Sequence, residues 1–150
     1  MEPDEEYIIP LGKARIALKA DQEKVDNGES AVIMTYGMGV YWAKAAAKEF
    51  EGQVEILDLR TLNPYDWEAV SAAVEKHNRV FILTEEPLLN SFAESLAGRI
   101  ARECFEHLDA PIQTLGAANL PAIPLNVDLE KQMLPNAEKV RATLSKLLDY

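Results

Sequence analysis

Continuous apolar runs alternate with amphipathic stretches along this chain. AVIMTY (31–36), VEILDLR (54–60) and RVFILTEE (79–86) read as strands, and the first and last of them carry the unbroken apolar run of a strand covered on both faces. IQTLGA (112–117) reads as a further strand, and GKARIALKA (12–20) alternates weakly enough to predict a short strand at a sheet edge, open to antiparallel pairing. The stretches between have helical spacing. GVYWAKAAAKEF (39–50) repeats apolar positions at Val40, Ala43, Ala47 and Phe50, and Gly52 ends it. TLNPYDWEAVSAAVEKH predicts a helix with Asn63 as N-cap, Pro64 at the first helical position and Asp66 in the first turn. That helix carries Trp67, Val70, Ala73 and Val74 on one side. Ser91-Phe92-Ala93-Glu94 reads as a capping box. The helix behind it has a stripe of Phe92, Leu96, Ile100 and Cys104, with Ala93, Ala97, Ala101 and Phe105 beside it. AEKVRATLSKLLDY closes the chain as an amphipathic helix through Ala137, Val140, Leu144 and Leu147. DQEKVDNGES (21–30) is polar enough to be a loop or hairpin connection. Residues 119–136, with three prolines, are expected to wind over the surface with room for one helical turn.

Strands alternating with helices call for a mostly parallel sheet with helices on both faces and right-handed crossovers. A length of 150 residues fits one domain with one core. Residues 1–10 are expected to be a tether and 11–150 the domain. The formal net charge of −10 changes the picture more than the ordinary apolar fraction does. Nucleic-acid binding needs a basic face, and the sequence has no Lys/Arg cluster. The acidic balance suits basic partner proteins, or serves only to keep the chain soluble. No apolar run approaches the ~18 residues of a membrane helix, and the acidic start MEPDEEYIIP is neither a secretory signal nor a basic transit peptide. The single cysteine, Cys104, has no internal partner for a disulfide. A cytoplasmic location is expected.

Candidate chemistry begins at Gly37-Met38-Gly39. A strand leads into it, a helix follows, and Asp58 lies about 20 positions on, where a ribose-binding carboxylate would sit. Trp42, however, occupies the third position of G-x-G-x-x-G, which must be small. The two glycines therefore read first as a sharp strand-to-helix turn, with a free-standing nucleotide-binding module as the rival. His77 and His107 fall near helix C-termini without a second ligand at metal spacing. Cys104 lies on the apolar stripe. Glu85-Glu86-Pro87 follows a strand at the carboxyl edge and reads as a loop or interface feature in the absence of a second catalytic group. Gly98 interrupts a strong helix; core packing is expected of it before contact with another subunit. A full fold without a catalytic set suggests an assembly module or a piece of a larger enzyme.

Tyr7-Ile8-Ile9-Pro10-Leu11-Gly12-Lys13-Ala14, Ala31 to Gly37 and Asp58-Leu59-Arg60-Thr61-Leu62-Asn63-Pro64-Tyr65-Asp66 then stand as successive landmarks, followed by Glu85-Glu86-Pro87, Leu108-Asp109-Ala110-Pro111 and Leu134-Pro135-Asn136. On these residues the chain resembles the transketolase C-terminal domain, in the version that ends the β subunit of 2-oxoacid dehydrogenases of the pyruvate and branched-chain type. Leu88-Leu89-Asn90 departs from the glycine-rich sequence many members carry there. The resemblance implies a three-layer α/β/α fold with a five-stranded, mostly parallel sheet and one antiparallel edge strand. It implies a parent enzyme that uses thiamine diphosphate and magnesium to decarboxylate a 2-oxoacid and acylate a lipoyl group. The cofactor-binding domains would lie upstream, so this chain is expected to be a fragment that binds no cofactor and is inactive alone. The implied partners are those upstream domains, a second β-type subunit and the lipoyl acyltransferase. For the acyltransferase's basic subunit-binding domain, the resemblance points to Asp109 and to Tyr150 with its terminal carboxylate. Transketolase or deoxyxylulose phosphate synthase is the alternative parent.

Overall fold

A computed structural model describes residues 7–150. Its elements are β1 (Arg15–Leu18), α1 (Gln22–Asp26), β2 (Ala31–Thr35), α2 (Met38–Ala47), β3 (Val54–Asp58), α3 (Trp67–His77), β4 (Val80–Pro87), α4 (Phe92–Glu103), a 3-10 turn (Phe105–His107), β5 (Gln113–Ala117), α5 (Val127–Met133) and α6 (Ala137–Leu148). The strands form one sheet in the order β1-β3-β2-β4-β5. β1 runs antiparallel to β3 at the edge, and the other pairs are parallel. Ile33 of β2 lies between Ile56 of β3 and Phe81 of β4, which fixes the register of the central strands.

The period of two along the strands divides the core into two layers. Ala31, Ile33, Ile56, Phe81 and Leu83 meet Ala43 and Ala46 of α2 and Val140, Leu144 and Leu147 of α6. Val32, Met34, Leu57, Val80 and Ile82 meet Val70 and Val74 of α3 and Ala93, Leu96 and Ile100 of α4. β2 and β3 are buried along their whole length, because helices cover both faces. The three-layer α/β/α arrangement and the antiparallel edge strand are those expected from the sequence.

Three local expectations are corrected. The 21–30 stretch contains the short helix α1 rather than a pure loop. The 119–136 stretch holds the seven-residue α5, whose cap Asn126 accepts from the amides of Asp128 and Leu129. The third helix starts at Trp67 with Asp66, not Asn63, as its cap, and Pro64 follows a cis peptide bond in the preceding loop. A tertiary contact selects the later cap. Asp66 Oδ1 accepts from Ala69 N at 3.3 Å, while Oδ2 accepts from Ala14 N at 3.1 Å, so one carboxylate starts the helix and anchors the incoming chain. Gly12 N donates to Thr61 Oγ1 in the same loop. Of the expected tether, residues 1–6 lie outside the described residues and 7–10 form no regular element.

Candidate functional site

The glycine turn is where a phosphate site would open, and its geometry is that of a corner. Gly37 takes a φ of 55°, a region that disfavours side chains. A Cβ on Gly39 would come within 1.9 Å of Thr35 Oγ1, so this glycine lets the first turn of α2 close onto β2. The amides of Gly39 and Val40 donate to the carbonyls of Tyr36 and Gly37, which takes two of the N–H groups a phosphate would use. Asp58 is engaged too: it faces Arg15 Nη2 at 3.2 Å and accepts from Arg60 N. Trp42 packs against the core beneath α2.

Glu86, at the carboxyl end of β4, accepts from Phe92 N at 2.9 Å and so occupies the amino end of α4. Tyr36 Oη lies 2.7 Å from Thr84 Oγ1 and donates to Glu86 at 3.4 Å. Burial, first of all, and the nearby carboxylates push the Tyr36 phenol up from its ordinary value, despite the hydrogen bond with Thr84. These side chains sit at the carboxyl ends of β2 and β4, the switch point where open α/β sheets hold ligands.

His77 is buried and bridges two strand beginnings. Its Nδ1 lies 2.8 Å from Ser30 Oγ, and its Nε2 is 3.2 Å from Glu55 Oε1. Lys76 Nζ donates to Glu55 Oε2 at 2.5 Å. Burial alone would raise the Glu55 carboxyl, but the bonds to His77 and Lys76 outweigh it and hold the group below its ordinary value. Ser30 is 1% exposed, so this Ser–His–Glu line reaches no substrate and is a structural clasp. His107 accepts through its carbonyl from Asn78 Nδ2. Cys104 is buried, which raises its thiol from the ordinary value.

Asp109 and Tyr150, 41 residues apart in the sequence, line the same groove, which has a volume of about 620 Å³. Asn78, with φ at 58°, ends α3 and staples this region: its side chain holds the His107 carbonyl, and its own carbonyl accepts from Asp109 N at 2.9 Å. Buried Leu144 and Leu147 fix α6, and thereby the chain end, from the other side. One wall is the outward face of α4, with Ala97, Gly98 and Ala101. The turn and loop that follow add Phe105, Leu108 and Ile112. Phe105 is 75% exposed and Tyr150 64%. Among the described residues no lysine or arginine lines the groove. The expectation that Gly98 serves core packing is overturned: a Cβ built there meets nothing within 4 Å. The sequence did carry a sign of this face. Two apolar stripes on one helix, at 92/96/100/104 and at 93/97/101/105, are wider than a single core contact covers, and the structure buries only part of the second.

Residues 20–140 match the family described as "Transketolase, C-terminal domain". The chain is 32% identical, over 99% of its length, to the 2-oxoisovalerate dehydrogenase subunit beta of Bacillus subtilis (strain 168), covering 44% of that protein. It is 35% identical, over 91% of its length, to the pyruvate dehydrogenase E1 component subunit beta of Rhizobium meliloti (strain 1021), covering 28% of it. The chain thus spans less than half the length of these relatives. A solved structure described as "Split gene transketolase, inactive beta4 tetramer" superposes over 99% of the chain and 46% of its own, with a TM-score of 0.77 at 18% identity, a likeness of fold.

Proposed function

The chain belongs to the transketolase C-terminal domain family, and on that footing we propose that it is the assembly domain of a thiamine-diphosphate-dependent 2-oxoacid dehydrogenase. The parent would decarboxylate a 2-oxoacid and pass the acyl group to a lipoyl acyltransferase. This chain's part would be to join the upstream cofactor-binding domains, a second β-type subunit and the acyltransferase.

In this reading the diphosphate and its magnesium are held by the upstream domains, and no residue of this chain is proposed to bind them. Among the described residues no three His, Cys, Asp or Glu side chains gather to hold a metal ion. The amides of Gly39 and Val40 in the first turn of α2 are spent on that turn. No step of the chemistry is assigned to this chain, and alone it is expected to be inactive. No described helix is long and apolar enough to cross a membrane.

One observation carries the reading: an apolar groove of about 620 Å³ gathers Asp109 and Tyr150 and no basic side chain. An apolar floor with the Asp109 carboxylate at its margin, on a chain of net charge −10, suits a small basic domain, whose cations would speed encounter and fix orientation. We take the subunit-binding domain of the acyltransferase as that partner. Calorimetric titration of the chain with this domain from the same source, at low and high salt, tests the assignment. The expected result is binding that weakens with salt, weakens in Asp109→Asn, and weakens when Tyr150 is removed, since that takes away the exposed ring. No binding at either salt would withdraw Asp109 and Tyr150 as partner-binding residues.

A further inference from the structure

Gly98 has no reason to be glycine within this chain. It sits in the interior of the twelve-residue α4, where glycine is the poorest helix former after proline. Its backbone is helical and is not among the positive-φ positions. A side chain there would meet open space, whereas at Gly39 and Gly116 it would strike Thr35 Oγ1 or the Glu86 carbonyl. Neither conformation nor internal packing calls for the missing Cβ. What the missing Cβ does is deepen the groove between Ala97 and Ala101, an apolar surface that combines exposed Phe105 and Tyr150 with the carboxylate of Asp109.

We propose that Gly98 is the specificity-determining residue of this groove: it leaves a socket in α4 that seats one bulky apolar side chain of a basic partner. This rests on the assembly reading above and adds the feature by which the partner is selected. The anchor, of leucine to phenylalanine size, packs on the Ala97-Gly98-Ala101 surface against Phe105 and Ile112. A cation beside the anchor meets Asp109. Charge complementarity favours this occupant over a second copy of the chain, since two copies, each of net charge −10, would set Asp109 against Asp109 without a cation from either groove.

The test is titration of the subunit-binding domain into the wild-type chain and into Gly98→Leu, Gly98→Ala and Ser95→Leu. Ser95 is exposed on α4 but lies outside the groove. The melting temperature of each variant is measured alongside. Gly98→Leu is expected to keep or raise the melting temperature, because the site is open and the helix gains propensity, while affinity falls by at least about tenfold, as for a blocked central pocket. Gly98→Ala falls between, and Ser95→Leu binds as wild type. Wild-type binding that Gly98→Leu leaves within about twofold, well under one hot-spot contact, overturns the socket and keeps the assembly reading. Absence of wild-type binding overturns the socket and withdraws Asp109 and Tyr150 as partner-binding residues. A wild-type dimer that Gly98→Leu makes monomeric, without partner binding, gives the groove to a second copy and overturns the proposal.

Discussion

Glu55 shows how a single residue's role depends on neighbours that the local sequence does not reveal. It is 2% exposed, yet ionised, because Lys76 and His77 reach it from α3 and Ser30 holds the far side of the ring. Glu55→Gln keeps the shape and removes the charge. Lys76 is about one-third exposed and turns to water, so the loss stays below that of a fully buried broken pair, at about 2 kcal/mol. The acid dependence follows from the sign of the shift. Folding holds Glu55 below its ordinary value of 4.5, so its contribution is complete above that value and disappears as the pH falls through the depressed native one. Urea midpoints of wild type and Glu55→Gln should therefore differ at neutral pH and converge in acid. A gap that persists in acid would assign the effect to packing instead of charge. The sequence placed His77 near a helix C-terminus, where the structure has it. It gave no sign of Glu55, because the pairing crosses 22 residues and depends on the β3–α3 crossover.

Two glycines on helices illustrate what patterns of elements reveal and what they hide. The strand–glycine–helix pattern marked the turn at Gly37 and Gly39 correctly, and the alternation of apolar runs was enough for the order of strands and helices. It was not enough for the start of α3, where Asp66 is preferred over Asn63 because Ala14 arrives from 52 residues away to share its carboxylate. Nor did it separate glycines needed by the fold from one that is not. At Gly39 a methyl group collides with Thr35 Oγ1, and the cost of overpacking, about 1–3 kcal/mol, exceeds the roughly 1 kcal/mol of helix propensity that alanine brings. At Gly98 nothing opposes alanine, and the propensity term acts alone. Gly39→Ala should thus lower the denaturation midpoint and Gly98→Ala raise it. In a Thr35→Ala background, which removes the buried and otherwise unpartnered hydroxyl, Gly39→Ala should cost much less. Additive effects of the two substitutions would show that Thr35 is not the obstacle.

At the scale of the whole molecule, the charge of −10 left two readings open, solubility or attraction of a basic partner. The groove was only partly legible beforehand. Asp109 and Tyr150 came from resemblance to a family, and their meeting in one place depends on Asn78 stapling one side and α6 delivering the other. The two readings of charge part company in kinetics. A field spread over the molecule steers encounter and acts on the association rate, while the groove acts mainly on the lifetime of the complex. The association rate with the basic domain should therefore fall with ionic strength at nearly the same slope in wild type and Gly98→Leu, and only the dissociation rate should rise in the variant. Asp109→Asn should do some of both, because it removes one charge from the field and one contact from the site. Surface-immobilised kinetics across a salt series would measure these slopes. A salt-independent association rate would mean that the acidic surface serves solubility alone, and the groove would then have to select its partner by shape, with Gly98 as its main determinant.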